Sequence, residues 1–98
     1  MLKTFSLIHP KIKTARLVDA IKHDIKKYLK RERNKALPEG ADYWDFDCKY
    51  GQTADEAQTV HVSALNKCID EAESLKLESF YIEILAKPGY RTLNPISE

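Results

Sequence analysis

Apolar positions along this chain form six blocks, and their spacing changes from block to block. Leu2–Ile8 (LKTFSLI) is short, apolar and suited to a strand. His9-Pro10 closes it, because proline lacks the N–H a ladder needs and biases the residue before it towards extended geometry. From Thr14, the expected N-cap, to about Lys35 the period becomes helical. Leu17, Val18, Ile21, Ile25, Tyr28 and Leu29 fall within an arc of about 120° when wound at about 100° per residue. Leu37-Pro38-Glu39-Gly40 stops this helix.

Asp42–Tyr50 (DYWDFDCKY) alternates strictly, with Trp44, Phe46, Cys48 and Tyr50 on one face and Tyr43, Asp45, Asp47 and Lys49 on the other. Large aromatics gain most from burial, so Trp44 and Phe46 are expected beneath the helices, with Asp45 and Asp47 exposed. Gly51–Ala57 is polar and turn-like, and Gln58–Val62 forms a short third strand. A hairpin about Ala54 sets Cys48 opposite Val60, Phe46 opposite Val62 and Asp47 opposite His61, so apolar meets apolar on one face and polar meets polar on the other. Ser63 is the expected N-cap of a second helix reaching about Leu75, with Leu65, Cys68, Ile69, Ala72 and Leu75 as its apolar stripe. Phe80–Ala86 alternates as a fourth strand, Lys87-Pro88-Gly89 ends it, and residues 90–98 read as an irregular tail.

The order β-α-β-β-α-β in one domain of 98 residues predicts an α+β two-layer sandwich. Its simplest form is one antiparallel sheet with both helices on one face, the ferredoxin-like arrangement. The pattern leaves the order of the strands in the sheet open.

Composition narrows the class. With 43% hydrophobic and 32% charged residues, the chain is expected to fold. No run approaches the ~18 consecutive apolar residues of a membrane span, and the first ten residues lack the long apolar segment of a signal peptide. Cys48 and Cys68 form no CxxC and are expected to be small buried hydrophobes in a reducing compartment. These features predict a cytoplasmic protein that contacts no membrane.

Charge is divided unevenly. Residues 1–35 carry eleven Lys/Arg against three Asp/Glu, a net +8, whereas residues 36–98 carry five against twelve, a net −7. Such asymmetry often marks an electrostatic partner surface, although the two parts could also face each other within the fold or across a dimer. Arg16, Lys22, Lys26, Lys27, Lys30, Arg31 and Arg33 give the first helix a cationic outer side, a surface for phosphates. Lys87 and Arg91 flank a Pro-Gly turn that could hold an anion.

The sheet face turned away from the helices is the other candidate, with Tyr43, Asp45, Asp47, His61, Tyr81 and Glu83. RNA-binding proteins of this architecture stack bases on aromatics of the two central strands. Here the tyrosines lie on strands 2 and 4 among carboxylates, which argues against RNA on the sheet. The carboxylates and imidazole are suitable metal ligands, but no ligand spacing supports a site, so no metal or cofactor is expected. No GxSxG, P-loop or GxGxxG occurs, and the hairpin register separates Cys48 from His61, so catalytic residues are not assigned.

Two stretches carry a resemblance: Lys30-Arg31-Glu32-Arg33 through Leu37-Pro38-Glu39-Gly40 to Trp44-Asp45-Phe46-Asp47-Cys48, and Glu78-Ser79-Phe80-Tyr81 through Glu83-Ile84-Leu85-Ala86-Lys87-Pro88-Gly89. They resemble a family of small proteobacterial proteins, of roughly a hundred residues, classed as a domain of unknown function. The resemblance spans nearly the whole chain. It implies a bacterial cytoplasmic protein and carries over no activity.

The expected role is a non-enzymatic binding module that meets an anionic partner, nucleic acid and above all structured RNA, through its basic helix. The alternatives are a protein-interaction or homodimer module, in which that helix meets an acidic surface, and a small enzyme or metal-binding domain using the open sheet face. The oligomeric state is not legible in the sequence.

Overall fold

Alternation builds the sheet and the helical period builds the layer above it. The computed structural model describes residues 1–91, so the expected tail from residue 92 onward lies outside the described residues. The elements are β1 (Leu2–Ser6), α1 (Thr14–Arg33), β2 (Tyr43–Gly51), β3 (Gln58–Val60), a 3₁₀ turn (Val62–Ala64), α2 (Leu65–Ser74) and β4 (Ser79–Gly89).

The α+β class and the antiparallel four-stranded sheet are as expected, but the strand order is β1-β4-β2-β3. That order corrects the ferredoxin-like expectation, in which the first and third strands are central. Here β4 and β2 are central, which is the ferredoxin-like spatial order followed with the chain reversed. Burial supplies the physical reason. Phe80, Ile82 and Ile84 of β4 are fully buried, as suits a strand with a neighbour on each side. β1 exposes Leu2, Lys3, Thr4 and Ser6 and buries only Phe5, as suits a short edge strand.

Register follows from this insertion. β1 pairs with β4 from Leu2↔Glu83 to Ser6↔Ser79, and Met1 O accepts from Ile84 N at 2.7 Å. On its other side β4 pairs with β2 from Tyr43↔Gly89 to Gly51↔Tyr81. β4 therefore runs past the expected end, through Lys87 and Pro88. Proline is tolerated there because Pro88 lies beyond the end of β1, where β4 has become an edge. Tyr43 lies against Gly89, close enough that a Cβ there would collide with the ring.

The hairpin register Cys48↔Val60 is as expected. The expected pairs Phe46–Val62 and Asp47–His61 do not form, because β3 ends at Val60 and Val62 begins the 3₁₀ turn. Ser63 is not the N-cap of α2, a position held by Ala64; it lies in the 3₁₀ turn, which His61 caps, its Nδ1 accepting from Ser63 N at 3.1 Å. Thr14 is likewise the first helical residue and not the N-cap, a position held by Lys13. The Thr14 hydroxyl donates to Leu7 O at 3.3 Å, tying the helix start to the end of the first strand segment. That segment stops at Ser6, whose hydroxyl accepts from Ile8 N and turns the chain.

Between α1 and β2, Ala41 N donates to Pro38 O at 3.1 Å across a turn whose Gly40 has φ 85°. Glycine takes that backbone region without steric cost. α2 ends in a Schellman motif: Leu77 N donates to Ala72 O at 3.1 Å, Lys76 N donates to Glu73 O at 3.0 Å, and Lys76 sits at φ 56°. A lysine thus occupies a position where glycine is preferred.

Both helices lay their stripes on the same sheet face. Val18, Ile21 and Ile25 of α1 and Leu65, Ile69 and Ala72 of α2 pack with Phe5, Phe46, Cys48, Phe80, Ile82 and Ile84. Trp44 is half-buried at the edge of this core, with Nε1 donating to Lys35 O at 2.9 Å. Asp45 is also half-buried, contrary to its expected exposure, because its Oδ1 turns back to accept from Phe46 N at 2.8 Å.

Phe46→Ala is expected to lose about 3–5 kcal/mol of stability, measured by urea unfolding, because the ring lies in the core and leaves a cavity. Lys76→Gly is expected to gain about 0.5–1 kcal/mol in the same assay, since the left-handed backbone costs a non-glycine residue about 1–2 kcal/mol and glycine's greater unfolded freedom returns part of that.

Candidate functional site

The cationic side of α1 survives folding, but its members diverge in role. Lys22 is taken by an ion pair with Asp70 of α2, so part of the charge division is answered inside the fold. Arg31 lies 3.9 Å from Glu32, and Lys35 bonds that same carboxylate at 2.9 Å. Glu32 was missed as a structural group: it occupies the apolar stripe of α1 and is buried, held by these cations. Its position in the stripe is the signal that could have found it.

Arg16, Lys26, Lys27, Lys30 and Arg33 are exposed and have no carboxylate within 4.0 Å among the described residues. At about 1.5 Å rise per residue, Arg16 to Arg33 spans roughly 25 Å. Lys26 and Lys30 are one turn apart, about 6 Å along the axis. Lys26 borders the groove between α1 and α2, lined also by Ser63 and Asn66. Arg33 lies over the Phe46 ring, 5.3 Å from its centroid, closing the core at the end of the helix. Lys27 and Arg31 turn to the other side of α1, towards β1, where they share a groove with Lys3, Phe5, Asp24 and Tyr28. Sequence spacing along α1 had no means of including Lys3.

The open sheet face is differently built. Lys87 Nζ bonds Asp47 Oδ1 at 2.8 Å, which raises the lysine pKa, and Lys49 stands opposite Glu83. Lys87 is thus spoken for and lies on the face away from α1. Arg91 is not gathered with Lys87 by any observed contact; its backbone N donates to Asp42 Oδ2 at 2.7 Å. Tyr81 is buried although it faces away from the helices, and its hydroxyl donates to Glu83 Oε1 at 2.9 Å, which raises its pKa. His61 is absent from this face, since it caps the 3₁₀ turn.

Tyr43 and Tyr81, expected to lie off the two central strands, are on them, because strands 2 and 4 are the central pair. They stand at opposite ends, however: Tyr43 pairs with Gly89 and Tyr81 with Gly51, about 27 Å apart at about 3.4 Å per residue. Neighbouring bases cannot stack on both.

Among the described residues, no three His, Cys, Asp or Glu side chains gather closely enough to hold a metal ion, and no helix is long and apolar enough to cross a membrane. Cys48 and Cys68 are free thiols. Burial pushes the Cys48 thiol up to about 11, with Asp47 and Asp45 adding to the rise. Cys68 is half-buried and raised by burial and then by Glu71. Neither has the depressed pKa of a nucleophilic cysteine.

The chain matches, over residues 1–95, the model of a family described as Family of unknown function (DUF6172), and it belongs to that family. No curated protein and no solved structure matches it.

Disulfide-exchange labelling at neutral pH is expected to modify Cys68 slowly and to leave Cys48 intact until the protein is unfolded. Mass spectrometry of native and denatured samples checks this, and rapid native labelling of Cys48 would contradict its burial.

Proposed function

We propose that this member of the DUF6172 family is a non-enzymatic binding module that contacts nucleic acid, RNA foremost, through the phosphates along α1. One observation carries the reading: five exposed cations on a single helix lack a carboxylate partner among the described residues. Like charges one turn apart on a helix each cost a few tenths of a kcal/mol, a cost that a row of phosphates reverses. The acids elsewhere are partly committed, Asp70 to Lys22 and Asp47 to Lys87. The rigid seating of α1 on the core, through Val18, Ile21 and Ile25, holds the row in place without the partner. Two free thiols suit the cytoplasm we infer for such a module.

Backbone contact of this kind positions a strand and carries little sequence preference. Binding to fluorescent RNA is expected to weaken with salt at a log–log slope of roughly −0.7 to −0.9 per phosphate contacted. Lys26→Glu with Lys30→Glu is expected to remove about two such contacts for every sequence tested, with folding intact because both side chains lie off the apolar stripe. Titrations at about 150 mM salt, where exposed charges beyond about 8 Å are screened, are the measurement. If neither RNA nor duplex DNA binds there, the reading fails. Loss of self-association in the double variant would instead place a second copy on α1.

A further inference from the structure

Three cations from two elements line one groove between α1 and β1. Lys27 and Arg31 stand one turn apart on α1, and Lys3 projects from β1. Lys3 Nζ lies 5.1 Å from the Phe5 ring centroid, and the Arg31 guanidinium lies 5.5 Å from that of Tyr28. These aromatic faces hold the two cations against the groove wall and lower the freedom they would lose on binding. Asp24 also lines the groove, but no cation there lies within 4.0 Å of it, and Arg31 reaches only Glu32, at 3.9 Å. The groove therefore keeps a surplus of positive charge in a concave site, where the field is focused.

We propose that this groove is a phosphate seat. A phosphate presents several oxygens to the three donors that line this groove, and the planar fork of Arg31 suits such an oxyanion better than a lysine would. The occupant is a phosphate and not a base, because Arg31 already covers Tyr28, Lys3 covers Phe5, and Phe5 is buried. In the nucleic-acid reading above, on which this use of the seat rests, the backbone crosses from the crest of α1 to the edge of the sheet. The same chemistry would also hold the phosphate of a free small molecule.

Two probes separate these sources: a mixed-sequence single-stranded RNA and inorganic pyrophosphate, each titrated into ¹⁵N-labelled protein. The expected result is RNA binding, with amide shifts at Lys3, Lys27 and Arg31. Lys3→Gln and Arg31→Gln should each lower the salt slope by roughly 0.7–0.9, the share of one phosphate contact. Lys87→Gln, on the opposite face, should leave it unchanged, and the dispersion of each variant's spectrum verifies folding. If RNA binds and the groove variants keep the wild-type slope while Lys26→Glu with Lys30→Glu lowers it, the seat is overturned and the α1 reading stands. If RNA does not bind but pyrophosphate shifts the groove amides in the wild type and not in Lys3→Gln, the seat stands for a free phosphate and the nucleic-acid reading falls. If neither probe moves these amides, the seat is overturned.

Discussion

β4 lies between β1 and β2 and hydrogen-bonds to both, so it joins the first strand to the rest of the sheet. β1 has no strand partner besides β4 among the described residues, and the β2–β3 hairpin reaches β1 only through it. β4 also brings Phe80, Ile82 and Ile84 to the centre of the core, where α1 and α2 settle their stripes. The first and last strands are thereby locked side by side, with Leu2 opposite Glu83. Such long-range pairing carries a large loop-closure cost before it returns any stabilisation, so sheet completion and core formation are coupled.

That coupling also decides where charge can go. With one sheet face filled by both helices, α1 can bury only its apolar stripe, and its cations must face outward or sideways. On the α2 side one of them, Lys22, finds a carboxylate. On the β1 side, Lys27 and Arg31 meet Lys3, because an edge strand of this sheet happens to lie beneath them. The opposite sheet face pairs its own charges, with Asp47 bonded to Lys87. The surface left with unanswered positive charge is thus a product of layer geometry as much as of composition.

Capping shows how local chemistry can be displaced by its neighbours. Ser63 and Thr14 are good cap residues by type, yet each is used differently. Ser63 instead gives its own backbone N–H to His61 Nδ1, and the Thr14 hydroxyl is drawn to Leu7 O. Both replacements occur where a strand segment hands over to a helix, so the backbone direction set by the sheet selects the acceptor. Single-residue preferences are worth about 1 kcal/mol and yield to such constraints.

Local pattern was enough for the six elements, for most of their buried faces, for the Cys48↔Val60 register and for the cationic side of α1, but not for Leu75, which was expected in the second helix's stripe and is exposed because α2 ends at Ser74. What it reached follows from residues close together in the chain, since side-chain direction repeats every two residues in a strand and every 3.6 in a helix. Only the tertiary structure decided the strand order, the placing of Tyr43 and Tyr81 on central strands, the loss of Lys22 to Asp70 and the meeting of Lys3 with Lys27 and Arg31. Periodicity states which face of a strand is buried and is silent about which strand lies beside it, because neighbours in a sheet are chosen by core packing among segments far apart in the chain.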